Sequence, residues 1–400
     1  MHPPGESMGS IYRIRNLCQG LTELSHECYI FTPFKYSEDW GPLVKFISIP
    51  VVSSKEGPGI TKLIYKVIRK VLDIRILSNM IVLNTLFFNF TVSRTSNALL
   101  NIIRVNSLNL DVIIGETEIG GLIVNQIKNK INFPVIVDYQ NFWPEELVEH
   151  KIIKRNKKRY KRFLEMEKKI INNADLIITP SFALKNFLVK FFTNEDDSKI
   201  KTVINGGLPF LEKPKTKLFP PKIINAGMIV HRSNLELFMQ SIPYILKKYP
   251  DIEVYLTKKG EKLNDIIKLA KKLKVKINLY WTDSYKEFLE FLSTFNVGIV
   301  TSTNELTRKL GFVTKIYDYF SVGLPVVGND IGGWTSIITE EKVGLLSKND
   351  PKDLAEKIIY FIENPEVSNT YGKRGIEILK TKYNIKNSAQ SLIDYIKSIK

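Results

Sequence analysis

The 400 residues carry 58 Lys and Arg against 41 Asp and Glu, a formal net charge of +17, and such an excess points to an anionic partner. Hydrophobic residues at 44% and charged residues at 25% lie near the globular average, which excludes a disordered, collagenous or multi-span membrane chain. The length suggests two domains of about 100 to 200 residues each. Two cysteines, Cys18 and Cys28, exclude a disulfide framework, and the four histidines show no metal-ligand spacing. The first residues lack a cationic segment followed by an apolar core, so no secretory signal is expected and the chain reads as cytoplasmic.

Apolar runs of strand length alternate with longer helical patterns, the sequence form of an α/β protein whose parallel sheets are covered by helices. The first predicted strand is 28–32. From 60 to 105 the alternation is interrupted, first by Lys62, Lys66, Arg69 and Lys70 among aliphatics and then by the apolar run 80–92. That run is shorter than the roughly 20 residues needed to span a bilayer and reads as a buried helix, or else as a hydrophobic surface for interfacial docking. Strands follow at 111–115, 135–138, 176–179 and 201–204. Between the second and third of these, 151–169 holds ten basic residues against Glu165 and Glu167. Ile152, Tyr160, Phe163 and Ile170 recur there at helical spacing, which predicts a surface helix with one face in the core and the other positive. The positive face fits either plain solvation or anionic lipid headgroups, at on the order of 1 kcal/mol per cation.

The alternation breaks at 206–221, where NGGLPF is followed by Pro214, Pro220 and Pro221, and a linker is predicted there. It restarts with strands at 223–226, 252–256, 277–280, 297–301 and 325–328, and 384–400 is amphipathic and able to cross back. The expected organisation is a domain over 1–205, the linker, and a domain over 222–400. Each is Rossmann-like and doubly wound, and they are expected to face one another across a cleft, with function on the loops that follow strands.

The segment 302–333 carries most of the chemistry. It follows a strand, contains Gly311 and is predicted to open a helix near Phe312, so the amides of Gly311, Phe312, Val313 and Thr314 offer an anion site. Arg308, Lys309 and Lys315 concentrate charge around it, which suits a diphosphate, and Asp318 stands one turn beyond Thr314, where a carboxylate can accept ribose hydroxyls. In the first domain, the loop 138–144 offers Asn141 and the aromatics Tyr139, Phe142 and Trp143 for sugar contact or for the core. Glu118, Glu145 and Glu146 read as helix N-terminal charges, Glu118 also as an orienter of an acceptor, and no facing carboxylate pair of the hydrolase kind stands out. No Asp-x-Asp ends a strand, so metal dependence is not indicated.

Asp318-Tyr319 followed by Gly323-Leu324-Pro325-Val326-Val327, the pair Gly332-Gly333, and Asn205-Gly206 with Phe210 resemble motifs of the retaining glycosyltransferases of the GT-B fold, in the glycogen-synthase-like and mannosyltransferase group. Ala226-Gly227 with His231, Arg232 and Asn234 resembles that family's glycine loop and basic diphosphate ligand. Gly9-Ser10 stands near its N-terminal glycine loop, and Ser25-His26-Glu27-Cys28 is similar to its G-H-E-V strand entry. The chain departs from the pattern at Leu310, where the family has the first of two glutamates, at Met228, where it has an arginine, and at Ser336, where it has a glutamate after the glycine pair.

The resemblance implies transfer of a sugar from a nucleotide diphosphate to a hydroxyl of a lipid-linked or polymeric glycan, with retention of configuration, no metal and no cofactor beyond the donor. Arg232 and Lys315 are then the expected catalytic cations. Gly9, Ser10, Asn141, His231, Gly311, Phe312, Val313, Thr314 and Asp318 are the expected substrate contacts, with a peripheral contact to the cytoplasmic membrane face. A nucleotide-sugar 2-epimerase shares the architecture. A basic nucleic-acid-binding protein is the remaining alternative, although no helix-turn-helix, RNP or zinc-finger pattern is present and no nucleic-acid partner is expected.

Overall fold

The computed structural model describes residues 8–32, 39–49, 85–193, 196–212, 214 and 219–399. The chain divides into two compact units, 1–204 with 388–400, and 205–387. The interrupting stretch 60–84 lies outside the described residues.

The first unit opens with α1 (Met8–Glu23) and a parallel pair, β1 (Cys28–Thr32) and β2 (Val44–Ser48). After α2 (Thr85–Val105) come β3 (Ile113–Glu116), α3 (Thr117–Ile127), β4 (Val135–Asp138), α4 (Trp143–Glu149), α5 (Lys158–Asn173), β5 (Leu176–Thr179), α6 (Phe182–Phe192) and β6 (Ile200–Thr202). Its main sheet runs β3-β4-β5-β6, all parallel. Val135, Ile136, Val137, Ile177 and Ile178 are wholly buried, as strands covered on both faces must be. Phe88 and Val92, in the helical part of the apolar run, pack with Trp143, Leu147, Tyr160 and Phe163, while Phe90 is exposed.

The basic run forms a helix only from Lys158. Lys151 and Asn156 adopt left-handed backbone (φ 59° and 61°), which an α-helix does not tolerate, so 151–157 is a turn. Within α5, Tyr160, Phe163, Ile170 and Ile171 face the core, as does Glu167, while Lys158, Arg159, Lys161, Lys168 and Lys169 are exposed.

Glu118, at the start of α3, is buried together with Glu167 and Tyr139. Loss of solvation pushes the Glu118 carboxyl up to about 8, with the Glu146 and Asp138 charges adding to it, and raises Glu167 for the same first reason. Folding therefore retains a proton on Glu118 that the unfolded chain releases above about 4.5. The stability this confers is complete below that pH and is lost as pH rises through about 8. Glu118→Gln, which stays neutral, is expected to lower the melting temperature less between pH 6 and pH 9 than the native chain does, by several degrees in a thermal scan. Parallel pH curves would contradict burial of a protonated carboxyl.

The second unit comprises β7 (Lys222–Asn225), α7 (Leu235–Leu246), β8 (Glu253–Thr257), α8 (Leu263–Lys272), β9 (Asn278–Tyr280), α9 (Tyr285–Leu292), β10 (Val297–Val300), α10 (Leu306–Leu310), α11 (Lys315–Ser321), β11 (Val326–Asn329), α12 (Thr335–Glu340), β12 (Gly344–Ser347), α13 (Pro351–Glu363) and α14 (Pro365–Thr381). Its parallel sheet runs β12-β11-β10-β7-β8-β9. Val297 and Ile299 face a core shared with Phe238 and Ile242 of α7 and Leu354 and Ile358 of α13. Gly298 between them points to the opposite face, against Tyr319 of α11, so helices cover both sides.

The stretch expected as a linker packs within this unit. Gly207 donates its N–H to the Tyr383 carbonyl, and Phe210 and Leu211 donate to Ser321. Gly206 and Gly207 supply the close approach, since a Cβ at either would meet Asn384 backbone or the Tyr317 side chain. The last helix, α15 (Ile385–Ser398), carries Leu392 into a core cluster of the first unit with Leu17, Ile136, Leu176 and Val203.

Candidate donor site in the second unit

In the second sheet the chain moves outward from β7 to β8 and β9, then returns to place β10 on the other side of β7. The loops leaving β7 and β10 therefore diverge at a topological switch point, where open parallel sheets form a binding crevice beyond their carboxyl ends. Side chains and backbone stitch the two loops together. Thr301 Oγ1 donates to the Ser233 carbonyl at 2.6 Å, Asn234 Nδ2 to Ser302 O at 3.2 Å, and Thr303 N to Arg232 O at 3.3 Å. His231, on the same turn as Arg232, places Nε2 3.4 Å from Glu305 Oε1. Asn329, ending β11, both accepts from Ser302 N and donates to Ser302 O.

Lys315 reaches the carboxyl end of β7 from the first turn of α11. Its Nζ donates to Asn225 Oδ1, at the end of β7, at 2.9 Å. Gly227 supplies the backbone this turn needs, with φ +115°, and packs closely enough that a Cβ would lie 3.1–3.2 Å from Lys315 Cε and Nζ. Thr257, ending β8, accepts from Gly227 N at 2.7 Å and donates to Gly227 O at 2.6 Å, fixing the loop. Asn225 Nδ2 is buried with no partner among the described residues. Burial lowers the Lys315 ammonium to about 8, and the Asp318 carboxylate opposes that shift. Asp318 is raised to about 6 by loss of solvation, against a hydrogen bond from Tyr285 and the charge of Lys315.

The helix carrying both groups is pinned by its own tyrosine. Tyr319 OH accepts from Ala226 N at 2.9 Å and lies 3.1 Å from the Ile299 carbonyl, so one phenol ties α11 to both strands of the switch point. A Cβ at Gly298 would fall 2.7 Å from that ring, which accounts for glycine in the middle of a buried strand.

Of the residues predicted from sequence, Arg232, His231, the 311–314 segment, Lys315 and Asp318 lie on these loops and this helix. Two details differ. The helix opens at Lys315 instead of near Phe312, because extended Gly311 (ψ 164°) ends α10 and the chain re-enters helical backbone only at Thr314. The Gly311 amide is not available to a ligand, since it donates to Thr307 O at 2.9 Å. The amides of Phe312, Val313 and Thr314 donate to no group among the described residues. Leu310 is buried, and the Phe312 ring stacks on Tyr317 at 5.4 Å.

Gly9 and Ser10 lie in α1 and Asn141 in the loop after β4, all in the first unit; Asn141 Oδ1 accepts from Phe142 N at 3.2 Å. Sequence reasoning missed Asn225, Thr257, Tyr285 and the role of Tyr319. A polar residue ending an otherwise apolar strand was the available signal for Asn225 and Thr257.

Residues 210–378 match the family model described as Glycosyl transferases group 1. That match lies wholly within the second unit. The uncharacterized glycosyltransferase MJ1069 of Methanocaldococcus jannaschii is 24% identical over 251 residues, 59% of this chain and 62% of that protein, so the match spans less than two thirds of that relative's length. Among solved structures, sucrose-phosphate synthase from Thermosynechococcus elongatus aligns with a TM-score of 0.70 at 16% identity, covering 98% of this chain and 94% of that one. Anabaena HepE in complex with UDP aligns with a TM-score of 0.68 at 11% identity, covering 98% and 97%. The fold is thus α/β with parallel sheets, of the GT-B type.

Proposed function

We propose that this chain is a glycosyltransferase that moves a sugar from a nucleoside diphosphate to a hydroxyl of a lipid-linked or polymeric glycan, with retention and without a metal. The observation that carries this reading is the Lys315 ammonium, held against Gly227 and Asn225 at the switch point of the sheet. When the bond between the anomeric carbon and the donor phosphate breaks, the diphosphate gains negative charge. A cation fixed beforehand in a poorly solvated crevice stabilises that charge more than it stabilises the intact donor. Arg232 and the amides of Phe312 to Thr314 would share the load, and Asp318 would accept ribose hydroxyls. HepE, whose structure contains UDP, makes UDP the first nucleotide to try.

Nucleotide binding is expected to be strongest near about pH 7, weakening toward lower pH as Asp318 takes a proton and toward higher pH as Lys315 loses one. The phosphate itself also titrates near pH 6, so the comparison that isolates Asp318 is calorimetry on Asp318→Asn, whose acid limb should be shallower. An unchanged acid limb would remove Asp318 from the donor site.

The activity itself is tested by a screen of UDP-, GDP- and ADP-sugars against a lipid-phosphate glycan pool, read by mass spectrometry. Addition of one sugar that requires both donor and acceptor supports the reading. Donor isomerised without any acceptor would mean a 2-epimerase. Salt-sensitive binding to oligonucleotides with no stabilisation by any nucleoside diphosphate would mean a nucleic-acid binder.

Peripheral attachment to an anionic membrane belongs to the same proposal. Lys154, Lys157, Lys158, Arg159 and Lys161 are exposed on and before α5, and exposed Phe90 belongs to α2, which shares its core. No helix among the described residues is long and apolar enough to cross a membrane. Sedimentation with phosphatidylglycerol vesicles at low salt should deplete the supernatant, and added salt should restore it. Equal recovery with phosphatidylcholine and phosphatidylglycerol vesicles would argue against attachment.

A further inference from the structure

Tyr285 stands outside every motif of the sequence, yet its hydroxyl donates to Asp318 Oδ1 at 2.7 Å across 33 residues of chain. It is the first residue of α9, whose start is fixed by the N-cap Ser284 accepting from Glu287 N. The side chain is 48% exposed, so the phenol sits at the rim of the site instead of filling the core. It bonds one oxygen of Asp318 and leaves Oδ2 without a hydrogen bond from any described residue.

Among the described residues, Tyr285 and Lys315 are the groups that act on the Asp318 carboxyl. α9 contributes Tyr285, and α11 itself contributes Lys315 one turn earlier. β10 and α14, which also pack on α11, meet it through Gly298 against Tyr319 and Gly375 against Phe320. Among the described residues the phenol is the neutral donor that favours the ionised form of Asp318, while burial favours the protonated form.

We propose that Tyr285 is a positioning residue of the donor site: its hydroxyl holds one oxygen of Asp318 so that the other, ionised and aimed outward, receives the ribose hydroxyls of a nucleoside diphosphate. This rests on the donor-site reading above and adds to it a residue that acts on the nucleotide only through Asp318. A phenol suits the task because, remaining protonated at neutral pH, it donates to the carboxylate without adding a charge that would compete with Lys315 for the diphosphate.

The test is Tyr285→Phe, which keeps the ring, alongside Asp318→Asn and the double variant. Calorimetric titration with UDP, GDP and ADP from about pH 5.5 to about pH 8.5 is paired with carbon NMR of the Asp318 carboxyl. Losing a hydrogen bond to a charged group should weaken the preferred nucleotide about tenfold near pH 6.5. The loss should shrink toward pH 8, where Asp318 is ionised in both proteins, and the Asp318 titration should move upward in Tyr285→Phe without nucleotide present. In steady-state assays KM for the donor should rise while kcat holds. The double variant should bind no worse than Asp318→Asn alone.

Native-like affinity and an unmoved acid limb in Tyr285→Phe would overturn the proposal while leaving the donor site in place. So would a further loss in the double variant, which would mean that Tyr285 touches the nucleotide itself. If the native chain bound none of the three nucleotides, the donor-site reading would fall and this role with it.

Discussion

Lys315→Ala is expected to leave the protein folded and to lower turnover by about 10²- to 10³-fold, the loss seen when one preorganised oxyanion donor, worth roughly 2.7–4 kcal/mol, is removed. Three features of the site set that magnitude. The ammonium is aimed by a single hydrogen bond to Asn225, it abuts a glycine that leaves room for nothing larger, and its partial desolvation strengthens whatever charge it meets. The same desolvation means that the folded state gains little from this charge. Circular dichroism and the melting temperature should therefore change little, and kcat should fall much more than KM rises. Lys315→Arg should not restore the rate, because the broad guanidinium cannot occupy the space between Gly227 and Asn225. A near-native rate for Lys315→Ala would remove the residue from the mechanism.

The largest effect on stability is expected in the first unit. Arg13 of α1 and Asp138 at the end of β4 form an ion pair, 1% and 0% exposed, with Nε 2.5 Å from Oδ2. Arg13 Nη1 also donates to Val203 O at 2.7 Å, so one side chain joins α1, β4 and the end of the unit's last strand. Removing the cation by Arg13→Met strands a carboxylate with no water to solvate it, a change that typically costs about 3–5 kcal/mol. Set against a total stability of roughly 5–15 kcal/mol, that is enough to unfold the unit in mild urea. The double change Arg13→Met with Asp138→Leu should recover much of the loss, since two apolar groups need no partner. Urea melts separate the cases: a loss under about 1 kcal/mol for Arg13→Met alone would contradict a desolvated pair.

The strands of both units were largely legible in the chain, and the reason is physical. Strands such as VIVD, LIIT and VGIV lie in parallel sheets buried on both faces, so they read as short unbroken apolar runs. β2 (VKFIS) escaped notice because it pairs with one strand and stays half exposed, and β12 (GLLS) because its polar end and short length resemble a turn. Left-handed residues at 151 and 156 shortened the basic helix, and no side-chain periodicity announces a backbone φ.

The candidate site was legible where chemistry is local in sequence. Lys315 and Asp318 stand three residues apart on one helix, within a segment rich in cations and glycine. Their partners were not legible, because Asn225 meets Lys315 across 90 residues and Tyr285 meets Asp318 across 33, and folding alone creates those neighbours. The proline-rich stretch near 210 reads as a linker by composition, yet the two glycines that precede it allow it to pack closely in the second unit.

On this reading a nucleoside diphosphate docks at the switch point between β7 and β10. That docking is tested most directly by a crystal structure with the nucleotide that most raises the melting temperature. A phosphate oxygen is expected about 2.7–3.2 Å from Lys315 Nζ, with the ribose on Asp318. A nucleotide bound elsewhere, with Lys315 still donating to Asn225 and no phosphate near it, would contradict it.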